Sequence, residues 1–484
     1  MSQSTVTREE AGRLLYAALT PHPPIMVPAV GRGQEVRVAE TIQAMRRVSR
    51  EIEEIKPETV IVISPHGPMF QDAVALAGTP QLSGDFAQFG ASQIRLSLAN
   101  DLRLVEAIQE AAGNCEIPTV LMTEARARRY SQSTALDHGA LVPLFYLTEP
   151  YLNREQPIPF QLVSITYALL SLPEQYRFGM AIQEAIRATG RQAAIIASGD
   201  LSHRLTLDAP AGYRPEGEEF DRELVRITAS AQIQDLFRLP SVLIERAGEC
   251  GLRSFVIAWG AAEGLQVRPE VYSYQGPFGV GYMVANLGVG GSDPNRRILT
   301  ALLDEQRRRV NAGREQESAV VHMARAGIEA FVRREQVVDS PAELPPELPE
   351  RAGVFVSIKK GGQLRGCIGT TEPTQETLAA EILSNAIQAA TRDPRFSPIQ
   401  VRELPDLEYS VDILGVPESV EDVGQLDPDR YGVIVNSGGR RGLLLPELEG
   451  VETAEQQLTI ARRKAGIGPG EPVRLERFTV RRFK

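Results

Sequence analysis

Two short runs constrain this 484-residue chain most: residues 58–67, ETVIVISPHG, and residues 193–200, AAIIASGD. Each is apolar at successive positions, so both faces of the segment need cover. That is the pattern of a strand buried inside a sheet with helices on either side. Helix-like stretches at 35–56, 101–113, 174–190, 218–246 and 253–263 alternate with further apolar runs at 14–20, 117–122 and 159–168. Segment 140–147 is apolar but ambiguous between strand and helix, and 267–289 reads as closing strands. The alternation predicts an α/β domain with a central, mostly parallel or mixed sheet flanked by helices. Such sheets bind ligands beyond the carboxyl ends of their strands.

The chain is too long for one ordinary core. The run GVGGSDPNR at 288–296 is the best break, giving expected domains 1–290 and 291–484. Beyond it, helices at 297–310, 315–335, 377–393 and 451–464 mix with strand–turn–strand patterns at 353–369 and 431–446, and with strands at 407–415 and 473–484. That is an α+β style. The Pro- and Glu-rich segment 339–350 reads as a stiff loop.

With 52 basic against 62 acidic residues the net charge is −10, which argues against a nucleic-acid partner. No run of 18 apolar residues occurs and the first ten residues hold no apolar signal core, so a cytoplasmic protein with no membrane partner is expected. Cys115, Cys250 and Cys367 are too few and too scattered for a disulfide framework or a CxxC knuckle.

Only five histidines occur. His22, His66 and His203 each follow an apolar strand directly, and His138 sits in LDHG. Histidine is the commonest metal ligand and the usual base near neutral pH. Four of five at apparent site loops point to one centre, with His22 and His66 as the two imidazoles of choice. His322 lies in a predicted amphipathic helix and reads as a surface or packing residue, and Trp259 reads as helix core.

The ordered set TPHPP, ISPHGP, LDHGALVPL, ASGDLSH and AGECGLRSFVIAWGA makes residues 10–287 resemble the class III extradiol ring-cleavage dioxygenase catalytic subunits, a LigB-like superfamily that includes the Memo-type proteins. The resemblance implies a non-haem iron(II) centre held by His22, His66 and the carboxylate of Glu249, with zinc or copper as other metals. It implies His203 as general base or acid, His138 as a second substrate-side histidine and Asp200 as an orienting group. The substrates would be a catechol-like or aminophenol-like aromatic and O₂. In the Memo-type branch a cysteine occupies the region of the carboxylate, and Cys250 adjoins Glu249 here. A thiolate would favour a redox or metal accessory protein without ring cleavage.

Residues 297–484 resemble the AMMECR1 family through LRGCIG (364–369), NAIQAATRDPRFSPI (385–399), LPDLEYSVDILGVPE and YGVIV…GRRGLLLP. The expected functional face holds Arg365, Gly366, Cys367, Gly369, Arg392, Asp393, Arg395 and Phe396, with Arg392 and Arg395 suited to an anion. The fusion resembles the AmmeMemoRadiSam grouping. It implies a separate radical S-adenosylmethionine protein as partner, because the chain has no CxxxCxxC. A homodimer is compatible with this reading.

Overall fold

In the computed structural model the described residues are 12–334, 344–448 and 450–484. Most of the Pro- and Glu-rich segment's first half, 339–343, lies outside them. The chain divides into two units at Leu302/Leu303.

The first unit is built on an eight-stranded mixed sheet. Its strands run in the order Glu270–Gln275, Tyr282–Asn286, Arg13–Thr20, Gln192–Ser198, Thr59–Ser64, Gln161–Thr166, Val74–Ala77 and Thr119–Met122. The four central strands, from Arg13–Thr20 to Gln161–Thr166, are mutually parallel. Thr59–Ser64 is buried at every position, as its uninterrupted apolar run requires.

Alternate side chains go to opposite faces. Val60, Val62, Ala194 and Ile196 join a core with Met45, Val48 and Ile52 of helix Ala39–Ile55 and Leu141 and Leu144 of helix His138–Asn153. On the other face Ile61, Ile63 and Ile195 are fully buried. Helices Leu172–Thr189 and Leu252–Ala261 pack against that side of the sheet. Each such isoleucine contributes about 1.5–3 kcal/mol by leaving water. The two helices approach so closely that a Cβ on Gly179 would lie 2.0 Å from the Ile257 carbonyl oxygen, and one on Gly260 would lie 2.1 Å from that of Tyr176.

The ambiguous segment 140–147 is helical, inside His138–Asn153, despite Pro143 and Pro150. Asp137 caps that helix by accepting the Ala140 N–H. A hairpin of Gln81–Phe86 and Ala91–Ala99, which no expectation covered, lies outside the main sheet. The run 288–296, read from its composition as the best domain break, contains strand Val289–Ser292 paired with Leu265–Val267.

The second unit has two four-stranded antiparallel sheets. One has the order Gln363–Gly369, Val354–Lys360, Leu407–Leu414, Val480–Phe483; the other Glu418–Val420, Arg474–Phe478, Gly432–Ser437, Arg440–Leu444. Helices Ala319–Arg334 and Leu378–Thr391 supply core residues over the first, and Ala454–Lys464 over the second. Gly361-Gly362 turns the first hairpin with φ of 58° and 79°, the left-handed pair that a two-residue turn of this kind needs. No helix among the described residues is long and apolar enough to cross a membrane.

Candidate metal centre

Each central parallel strand ends at a polar residue, and the loops that follow carry the site. Thr20 leads to His22, Ser64 to His66, Ser198 to Asp200 and His203, and Thr166 to Tyr167. Because these strands run the same way, their carboxyl ends meet at one edge of the sheet. Helix His138–Asn153 begins there and presents His138.

His22, His66 and His138 come together, with one nitrogen from each lying within 4.8 Å of the other two. The His22 and His66 Nε2 atoms are 3.0 Å apart. The His66 and His138 rings stack, with centroids 4.3 Å apart, and His22 meets His138 edge-on at 5.4 Å. Phe89 packs edge-on against His138.

The surroundings keep these rings neutral. Burial holds His22 far below the ordinary imidazole range, with His66, His138 and His203 adding to the effect. Burial, then His138 and His203, brings His66 down to about 4. His138 is lowered by burial, against the opposing pull of Asp137. Three neutral imidazoles with available lone pairs are what a metal ion requires. Two nitrogens about 2.1 Å from one shared ion in adjacent positions stand roughly 3 Å apart, and His22 and His66 already do. The residues present therefore fit a metal ion.

Asp200 accepts the His22 backbone N–H at 2.9 Å, and its second oxygen lies 3.8 Å from His22 Nε2. Burial pushes its carboxyl up to about 6, against the His22 N–H and His203. His203 meets the Gly248 carbonyl through Nδ1 at 2.6 Å, so that nitrogen carries a hydrogen. It stands near enough to depress both His22 and His66.

The neighbours Glu249 and Cys250 face different ways. Glu249 Oε2 accepts the Leu252 N–H at 2.6 Å, closing the start of helix Leu252–Ala261, and Oε1 lies 3.9 Å from Arg253. The Cys250 sulfur lies 3.7 Å from His22 Nε2 and accepts the Asp200 N–H at 3.3 Å. Burial, then the Asp200 carboxylate, raises its thiol well above the usual range. The structure thus brings His138 to His22 and His66 and sets the Cys250 sulfur beside His22, while Glu249 accepts the first N–H of helix Leu252–Ala261 and lies close enough to His203 for that imidazole to draw its burial-raised carboxyl down. Sequence reasoning passed over Ser64, Ser198 and Tyr167. The signal available for the serines was their place as the last residues of the strands that lead to His66 and His203. Tyr167 donates to the Cys250 carbonyl at 3.0 Å.

In the second unit Arg395, one of the two arginines expected to bind an anion, is already engaged, as is Arg365. Arg365 grips Glu403 with Nε and Nη2, both at 3.0 Å, and reaches the Ser397 carbonyl. Arg395 pairs with Asp393 at 2.9 and 2.7 Å and holds that carboxyl well below the usual range. Asp393 also accepts the Cys367 N–H, and Ser357 donates to the Cys367 sulfur at 3.3 Å. Cys367 lies within strand Gln363–Gly369, and Arg392 is exposed at the end of helix Leu378–Thr391. A Cβ on Gly366 would meet the Ala389 carbonyl at 2.3 Å, and one on Gly369 would meet the Phe355 ring at the same distance. Both glycines therefore serve close packing.

Residues 16–285 match the family model described as catalytic LigB subunit of aromatic ring-opening dioxygenase, and residues 321–484 match AMMECR1. A Clostridium acetobutylicum protein is 40% identical over 471 residues, covering 96% of this chain and 98% of its own length. A Thermotoga maritima protein is 54% identical over 160 residues, covering 32% of this chain and 92% of its own. The crystal structure of an uncharacterized Pyrococcus horikoshii protein aligns with 32% identity and a TM-score of 0.33, over 35% of this chain and 90% of that one. The chain belongs to the LigB family of aromatic ring-opening dioxygenase catalytic subunits, carrying an AMMECR1 domain in the same polypeptide.

Proposed function

We propose that the first unit is a metal or redox accessory protein of the Memo-like kind. One divalent ion would be held by His22, His66 and His138, with the Cys250 thiol beside it. The observation that carries this reading is the division of labour at 249–250: the sulfur stands 3.7 Å from His22 Nε2 while the carboxylate caps a helix. Three imidazoles and a thiol suit zinc, copper or iron better than a site needing a hard carboxylate face. When bound, the ion supplies Lewis acidity or electron transfer. The chain's own residues fix the imidazoles, keep them neutral and shield the thiol from water. In this proposal the AMMECR1 unit handles substrate or partner, and the partner is a separate radical S-adenosylmethionine protein.

Extradiol cleavage of a catechol or aminophenol by an iron(II) form is a second reading. It is favoured by the family match over 16–285 and by His203, whose Nδ1–H is spent on the Gly248 carbonyl and whose Nε2 would be the atom to take a proton from a substrate hydroxyl. Oxygen uptake by anaerobically iron-loaded protein with catechols and 2-aminophenols separates the two. The accessory reading expects no uptake above the metal-free control. Substrate-dependent uptake that disappears in His203→Ala would establish the oxygenase instead. Cobalt loading adds a direct readout: the accessory reading expects a thiolate-to-metal absorption band that is lost in Cys250→Ser.

A further inference from the structure

The two serines that end the strands leading to His66 and His203 do more than terminate them. Ser198 Oγ lies 2.5 Å from the Gly139 carbonyl oxygen and 2.9 Å from His22 Nδ1. A carbonyl oxygen only accepts, so the single hydroxyl proton of Ser198 goes to Gly139. Ser198 Oγ then meets His22 as an acceptor, and His22 Nδ1 must carry the hydrogen.

The Gly139 carbonyl is open to this contact for a sequence reason. Its ordinary helical donor would be the N–H of residue 143, and residue 143 is proline. The same end of the helix is held by Ser64, whose hydroxyl donates to Asp137 Oδ1 at 2.5 Å and accepts the His66 N–H at 3.3 Å. Asp137 and Gly139 flank His138. A Cβ on Gly139 would lie 2.3 Å from Ser64 Oγ, so glycine there lets the serine approach.

We infer that Ser198 is a positioning residue that locks His22 as its Nδ1–H tautomer, aiming a bare Nε2 at the metal position, while His66 is the ligand that changes tautomer when metal binds. This rests on the reading of the three histidines as a metal site. The second half follows from the first. Two bare Nε2 atoms 3.0 Å apart would repel, so without metal the hydrogen between them belongs to His66. Metal binding displaces that hydrogen to solvent, and the His66 ring, only partly buried, regains one at Nδ1. The exchange leaves both rings neutral.

The test is nitrogen-15 NMR of histidine-labelled full-length protein at neutral pH, metal-free and with zinc as the probe. The expected result is His22 as Nδ1–H in both states, and His66 as Nε2–H without zinc and Nδ1–H with it. His22 found as Nε2–H, or as a mixture, in the metal-free protein overturns the inference. Ser198→Ala is expected to release His22 into a mixture and to weaken zinc binding about 10- to 100-fold, the usual range for loss of a ligand's hydrogen-bond partner. Ser64→Ala is expected to leave the His22 tautomer as it is. Unchanged zinc affinity in a folded Ser198→Ala protein also overturns the positioning role. If the wild-type protein takes up no zinc, the metal reading fails, yet the metal-free tautomers still decide whether Ser198 locks His22.

Discussion

His66, brought down to about 4, binds a proton far less readily in the folded chain than an unfolded histidine does near 6.5. Stability from this group is present above pH 6.5 and drains as pH falls through 4. Metal retention should follow once no thiol proton has to leave: in Cys250→Ser, zinc binding, measured by competition, is expected to hold almost level from pH 7 to about 5 rather than fall through pH 6.5, whereas in the wild type the raised Cys250 thiol adds its own decline as pH falls. Asp221 acts in the opposite sense. Burial pushes its carboxyl up to about 7, where it accepts the Ser202 N–H and the Tyr274 hydroxyl. Its contribution is full below about pH 4 and lost as pH rises through 7. Asp221→Asn is therefore expected to flatten the decline of Tm between pH 5 and 8. Glu249→Ala should cost about 1 kcal/mol, the usual loss for a helix-start acceptor, and leave metal stoichiometry unchanged. His22, His66 and His203 were legible because each ends an apolar strand. The approach of His138 to His22 and His66 was not, since His138 starts a helix with no strand before it. The choice between Glu249 and Cys250 was hidden too, because adjacent residues at a helix start diverge by backbone direction alone.

The elements were legible where one physical signal dominated. Fully apolar runs became the central parallel strands, and Gly361-Gly362 became a hairpin turn. Legibility failed where two signals competed. Pro143 and Pro150 masked helix His138–Asn153, whose burial nearly all round also erased its helical periodicity. Gln81–Phe86 and Ala91–Ala99 are mutually paired and half exposed, burying only Leu82, Phe86, Ala91, Leu96 and Leu98 against the core, so their alternation is broken by polar and exposed positions. The crossing of helices Leu172–Thr189 and Leu252–Ala261 depends on missing side chains. Gly179→Ala and Gly260→Ala should each cost about 1–3 kcal/mol by overpacking, visible as a lower urea midpoint.

At the scale of the whole molecule the two units have separate cores and separate chemistry. The histidines that could hold a metal belong to the first unit, while in the second Arg365 grips Glu403 and Arg395 pairs with Asp393. Calorimetry is accordingly expected to show metal raising the unfolding transition of the first unit only, by about 2.7 kcal/mol at a hundredfold excess over Kd. The family was legible from the order of short motifs. The chemistry was not, because it depends on which side chains turn inward at the carboxyl edge of the sheet. The central claim is that His22, His66 and His138 form one metal centre. It is tested most directly by counting metal in the full-length protein beside its His22→Ala/His66→Ala variant, after equal zinc loading and gel filtration. One ion per wild-type chain and none in the variant is the predicted result. An equal ion count in the two proteins would contradict it.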